Sequence, residues 1–294
     1  MRFRRGIAAG ALLMATGIGL SGCGILPGGD GDLADDWAAI EAPKGFVPER
    51  ACHAKEAIGP ATVTEFAAVE CTTKHESETV YVGEFTGSAA SASTPPDIED
   101  AVASDAFDTC EKEVDKVFGY DWRDMRVSLK LVTPSGPAWQ GGARWFACDV
   151  VELADLEDAE TKSRMANIQD ALPTLPLGCF QATESGDDLT MAEVQCSTSH
   201  NSEYVGSFTP AAKVGYPTTD AGWDVLHEGC DKVVADYLGI SVSESNKRYS
   251  EIAWATSKKY WKGGNNNVRC FLWLGKTKMT GSAKDKKTAV PRWA

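Results

Sequence analysis

The apolar positions of this chain change period along its length. Ile7 to Leu20 is an apolar stretch, interrupted only by Thr16, that follows Arg2, Arg4 and Arg5. Further on, Val63, Phe66, Val69, Val80, Val82 and Phe85 lie in segments rich in strand formers, and Val127 to Val132 and Trp145 to Val151 predict two more strands. Between these the period lengthens. Pro96 and Asp97 open a run in which Ile98, Val102, Phe107, Val114 and Val117 recur near helical spacing until Gly119, and Asp220 to Leu238 before Gly239 does the same. The predicted unit is two strands, a helix and two strands, present twice. The fold class is therefore α+β: two tandem homologous domains, each a small, mainly antiparallel sheet packed with one helix.

Cysteine spacing supports the duplication. Cys52, Cys71, Cys110 and Cys148 are 19, 39 and 38 residues apart, and Cys179, Cys196, Cys230 and Cys270 are 17, 34 and 40 apart. Three further blocks match in order. Cys71-Thr72-Thr73-Lys74-His75-Glu76-Ser77-Glu78 faces Cys196-Ser197-Thr198-Ser199-His200-Asn201-Ser202-Glu203, Tyr81-Val82-Gly83 faces Tyr204-Val205-Gly206 with a two-residue offset, and Trp139-Gln140-Gly141-Gly142 faces Trp261-Lys262-Gly263-Gly264. In an exported chain both sets are expected to be oxidised. Four cysteines allow three pairings, of which first with second and third with fourth is the expected one. It would cross-link the strands flanking the loop before the histidine and tie the helix to the last strand, contributing about 3 to 4 kcal/mol per bond on the chain-entropy model.

The start of the chain reads as an export leader over residues 1–22, too short in its apolar part for a spanning helix. Leu20, Ser21 and Gly22 before Cys23 resemble a lipobox, which predicts a lipidated Cys23 and stable anchoring by two or more acyl chains. Residues 23–44, rich in Gly and Asp, read as a flexible linker. The expected domains are then 45–168 and 169–284, with a basic, solvated tail over 285–294. Loss of the leader removes three arginines and leaves 26 basic against 42 acidic side chains. That balance disfavours nucleic acid as a partner.

Candidate chemistry is sparse. His75 with Glu78 and His200 with Glu203 are the recurring histidine/carboxylate pairs. On a helix that spacing would let the carboxylate orient the imidazole for base catalysis or metal binding. The segments precede strands, however, and no third ligand or nucleophile recurs, so the reading taken is hydrogen bonding to loop backbone beside a disulfide. His53 and His227 have no counterparts. No Gly-x-Ser-x-Gly elbow, phosphate-binding loop or Cys-x-x-Cys pair occurs. Trp139 and Trp261 are expected in the core, with the border of a groove as the alternative, and the Gly-Gly pairs behind them read as tight turns. No catalytic residue, metal or cofactor is expected.

The order Cys, Cys with His-x-x-Glu, a Tyr-Val-Gly strand, a helix carrying Cys, then Trp-x-Gly-Gly and Cys resembles the septum-formation family of bacterial extracytoplasmic domains. Thr161-Lys162-Ser163 and Thr280-Gly281-Ser282 resemble that family's closing block, so the resemblance covers residues 45 to 284 in two copies. It implies a membrane-tethered protein of Gram-positive type linked to septa or the envelope. The family's arginine after the Trp-Gly turn is present as Arg144, whereas Asn265 to Asn267 occupy that region in the second copy, which points to degeneration or specialisation there. The expected function is a non-enzymatic binding or scaffold lipoprotein on the outer face of the cytoplasmic membrane, with division or envelope proteins as partners. A His/Glu-dependent or metal-assisted envelope hydrolase and an extracellular sensor module are the alternatives.

Overall fold

The structure is a computed structural model and describes residues 48–156, 161–186, 188–211 and 214–293. The leader, Cys23 and the linker lie outside the described residues. Among the described residues no helix is long and apolar enough to cross a membrane.

Strand-forming segments assemble into two sheets. The first contains β1 (Cys52–His53), β2 (Gly59–Ala61), β3 (Ala68–Val69), β4 (Ser77–Glu84), β5 (Val127–Pro134), β6 (Trp145–Leu153) and β7 (Thr161–Lys162). Its order is β2-β5-β6-β4-β1-β3, with β7 pairing β6 and with β2 parallel to β5. The second contains β8 (Cys179–Ser185), β9 (Asp188–Val194), β10 (Ser202–Phe208), β11 (Ser250–Ala255) and β12 (Val268–Trp273), in the order β11-β12-β10-β8-β9 and antiparallel throughout. Val63 and Phe66, read as strand residues, instead lie in a turn between β2 and β3. There the Glu65 carboxylate accepts from the Thr62 main chain, which closes the turn.

Each sheet carries one long helix on one face: α1 (Ala101–Phe118) on the first, α2 (Asp220–Leu238) on the second. Ala103, Phe107, Cys110, Val114 and Phe118 of α1 are buried, as are Leu226, Cys230, Val234 and Leu238 of α2, at the spacing that gathers apolar side chains on one helical face. Both helices stop at a left-handed glycine, Gly119 at φ 71° and Gly239 at φ 73°. α1 starts later than Pro96 and Asp97 suggested. The Asp100 carboxylate accepts from the Asp97 main chain, making 97–100 a turn, and Ile98 is buried outside the helix.

The two sheets share a register detail. The β4/β6 ladder shifts between Thr79 and Tyr81, and the β10/β12 ladder shifts between Tyr204 and Gly206, so Val80 and Val205 are the bulged residues. Tyr81 is paired with Cys148 and Gly206 with Cys270. The Tyr-Val-Gly match of the sequence is therefore out of step with the structure by two residues. Burial is the reason: Val80 and Val205 each pack into the helix-side core of their sheet, and that position takes precedence over the likeness of the letters. A volume exchange sits beside it. Phe146 of β6 covers Gly83, whose added Cβ would lie 2.3 Å from the ring, while at the matching pair in the second sheet the large residue is Phe208 on β10, opposite Val268.

The described residues all belong to one compact unit. Ile168, Leu172 and Leu175, on the second-domain side of or at the expected boundary, fill the core of the first sheet. The Arg269 guanidinium of β12 donates to the main-chain carbonyls of Arg123, Met125 and Val127. The C-terminal segment is held at one point: Val290 is buried in the second core, and the Tyr249 hydroxyl donates to the carbonyls of Lys287 and Val290, while Lys284, Lys286, Lys287 and Arg292 are exposed.

Candidate functional site

The disulfides frame the His-x-x-Glu segments. Cys52 is bonded to Cys71, Cys110 to Cys148, Cys179 to Cys196, and Cys230 to Cys270. The first bond of each half holds the loop that leads into β4 or β10. His75 and His200 sit in these loops, both fully buried. Their main chains form isolated antiparallel bridges, His75 with Arg164 and His200 with Met279. The imidazoles repeat the pattern. Nδ1 of His75 lies 2.8 Å from the Thr73 carbonyl and Nδ1 of His200 lies 2.8 Å from that of Thr198. A carbonyl can only accept, so Nδ1 carries the proton in both.

The glutamates close the same segments. Glu78 accepts from the Ile168 main-chain N–H at 2.6 Å, and Glu203 accepts from that of Ala283 at 2.6 Å. Glu203 also accepts from the Tyr237 hydroxyl at 2.7 Å and from Ser282. Nε2 of His75 lies 3.0 Å from Glu78, whereas Nε2 of His200 has no hydrogen-bond partner among the described residues. Each pair thus latches a closing segment, 164–168 or 279–283, onto the loop behind the disulfide. This geometry matches Arg164 with Met279 and Ile168 with Ala283, so Thr280 corresponds to Met165, not to Thr161 as the paired closing blocks suggested. Cys52, His75 and Glu78 approach within 4.8 Å, as do Cys179, Cys196 and Glu203, but every sulfur involved is in a disulfide and has no thiolate to offer a metal.

Trp139 and Trp261 are buried, and their indole N–H groups donate to the carbonyls of Ala92 and Val214. Arg144 lies 4.1 Å from the Trp139 ring and donates to the carbonyls of Ala90, Trp139 and Ala143. It braces its own turn. The Gly-Gly turns bend alike, Gly142 at φ 98° and Gly264 at φ 103°, yet a Cβ on Gly263 would meet the Ile98 carbonyl oxygen at 1.8 Å, so this turn is also a close contact between the halves.

A buried polar chain that the sequence did not single out crosses the other face of the first sheet. His53 Nε2 lies 2.8 Å from the Thr79 hydroxyl, Thr79 donates to Asp149 at 2.6 Å, and Ser77 donates to the second Asp149 oxygen at 3.1 Å. Burial pushes the Asp149 carboxyl up to about 7, against the two hydroxyl donors. Burial likewise lowers the His53 imidazole from its ordinary value, opposed by the carbonyls of Ala67 and Phe66. His227 is a surface residue whose Nδ1 lies 2.6 Å from Glu251, a bond that raises its pKa.

Between the halves lies a cleft of about 180 Å³, lined by Trp122, Trp254, Tyr260, Asn265, Asn267 and Arg269 among others. Thr256 and Ser257 form part of its rim. Asn265 is 5% exposed. The asparagine run was the visible departure between the two sequence copies; its placement at an inter-half cleft depends on how the halves pack.

A family model described as Septum formation matches residues 50–270, three quarters of the chain and both sheets. The chain belongs to the Septum formation family. No curated protein and no solved structure matches it. The family match is a single one, where the sequence resemblance was drawn twice; what it spans includes all four disulfides, both His/Glu pairs and Asn265 to Arg269. The latch at 279–283 lies past its end. Family membership points to a role in cell division or the envelope.

Proposed function

We propose that the protein is a lipid-anchored, non-enzymatic binding or scaffold protein on the outer face of the cytoplasmic membrane, built from two homologous domains and acting in septum formation or envelope assembly. The family match over both sheets is the observation that carries this reading. The leader and Cys23 supply the anchor. The non-enzymatic part is supported by the use of both His/Glu pairs as latches and of their neighbouring sulfurs in disulfides. Two domains locked into one unit suit a rigid platform.

Two measurements test the proposal. Cys23→Ala should release the protein from the membrane fraction; retention and processing like wild type would remove the lipid anchor. Crosslinking and pull-down from intact membranes should recover envelope or division components. An even distribution around the cell, with division unchanged on deletion, would remove the septal role. Zinc bound stoichiometrically and lost in His75→Ala with His200→Ala would favour the metal-assisted hydrolase instead.

A further inference from the structure

The cleft between the halves has the chemistry of a small-ligand site. Its volume of about 180 Å³ holds about six waters, the size of a single sugar ring rather than of a peptide or nucleotide. Three aromatic side chains line it, Trp122, Trp254 and Tyr260. Such walls suit a ligand with an apolar face and a hydroxylated edge. Arg269 is the one charged residue in the described lining, and its guanidinium is directed at three main-chain carbonyls. The lining therefore offers no free cation for a phosphate or carboxylate.

Asn265 supplies the independent observation. Counting back from the paired cysteines Cys148 and Cys270, Asn265 and Asn267 stand where the first half has Ala143 and Trp145, both buried in an apolar cluster. An asparagine amide both donates and accepts. Asn265 is 95% buried and lines the cleft, an amide where the first half has an apolar side chain. Thr256 and Ser257, also in the lining, add two hydroxyls. A core position has been given up to place amide and hydroxyl groups around an aromatic cleft, and a ligand that answers them must carry both donors and acceptors without charge.

We infer that this cleft binds one ring of a neutral saccharide, its apolar face against the indoles and its hydroxyls on Asn265, Thr256 and Ser257. The inference deepens the binding-protein reading and rests on it. The full chain, held in a detergent without a sugar headgroup, is titrated with glucose, galactose, mannose, arabinose and N-acetylglucosamine, with glucuronate as the anionic control. Tryptophan fluorescence and calorimetry report binding. Saturable binding of at least one neutral sugar is expected, weakened roughly tenfold by Asn265→Ala. The paired variant Thr256→Ala with Ser257→Ala, at rim positions away from the core, should weaken it as well while leaving the unfolding temperature in place, and it decides the matter if Asn265→Ala does not fold. No saturable binding of any neutral sugar, binding of glucuronate alone, or binding unchanged in the folded variants would overturn the site. Recovery of envelope components from membranes by a chain that binds no sugar leaves the envelope reading intact and removes this one. Sugar binding by a chain spread evenly around the cell does the reverse.

Discussion

The two halves share a frame but fill the face away from the helix in opposite ways. In the first half that face holds His53, Thr79, Lys130 and Asp149; at the matching registers the second half holds Phe180, Tyr204, Ile252 and Phe271. Phe271 meets Phe180 and Tyr204 edge-on, with ring centroids 5.3 and 5.5 Å apart. What covers each face explains the difference. The first half folds its own Ala54–Ala67 segment over the sheet, stacking Phe66 on His53 at 4.0 Å and on Trp145 at 5.9 Å. The second half lacks that segment, because β8 turns directly into β9, and packs against the first half instead: Tyr204 donates to Asp124 at 2.7 Å and Phe271 clusters with Leu156 and Leu177. One frame can therefore carry a hydrogen-bonded polar interior or an aromatic one, provided each polar group has a partner. Ser202 shows what remains when the partner is replaced. Its counterpart Ser77 donates to Asp149, but where Phe271 stands in that place the Ser202 hydroxyl is buried without a partner among the described residues.

The largest test exchanges one interior for the other. Phe271→Asp puts a carboxylate among aromatic rings, with the Ser202 hydroxyl in place of the paired Ser77 and Thr79 donors that Asp149 receives, and should cost about 4 kcal/mol of unfolding free energy. Urea unfolding measures it, and a loss under 1 kcal/mol would mean that the second interior tolerates the chemistry of the first.

The shared frame predicts equality. The Cys110–Cys148 and Cys230–Cys270 bonds close 38 and 40 residues, so replacing either pair with serine should lower stability by a similar amount, about 4 kcal/mol. A large inequality would show that the halves do not rely on equivalent staples.

The polar interior should respond to pH. Asp149 has an ordinary carboxyl pKa when unfolded and one of about 7 when folded, so the folded state binds more protons between those values. Its contribution is fully present below about pH 4 and is lost as pH rises through 7, on the order of 4 kcal/mol. His53 works the other way: its folded pKa is lowered, so its contribution is present above its ordinary value and is lost as pH falls below it. Asp149→Asn should remove the loss on raising the pH from 4 to 7 and leave the His53 loss on lowering it, as read from melting temperatures between pH 4 and 9. An unchanged profile would place the titration elsewhere.

The smallest effect is the most direct comparison. Ser77→Ala should cost about 1 kcal/mol, whereas Ser202→Ala should cost nothing or stabilise slightly. Equal losses in urea would mean that Ser202 has an unrecognised partner.

Much of this architecture was legible before folding. Gly119 and Gly239 marked both helix ends because a left-handed residue there favours glycine, and Val127 to Val132 and Trp145 to Val151 marked β5 and β6 because buried central strands are rich in β-branched and aromatic residues. The Tyr-Val-Gly match misled, since a bulge decouples residue identity from register. Val63 and Phe66 misled because an apolar residue in a covering loop looks the same as one in a strand. The cleft was visible only as a break in the repeat at Asn265 to Asn267.

By itself the sequence determined what is local or periodic: the helices and their stops, the strand cores, the paired cysteines and the recurrence of the whole pattern. Tertiary structure decided the rest. Whether His75 and His200 serve catalysis or latching depends on the segments at 164–168 and 279–283, which return from far along the chain. Whether Asn265 is core or site depends on what the second sheet packs against. Those choices arise from burial, and burial is a property of neighbours brought together by folding rather than of neighbours in sequence.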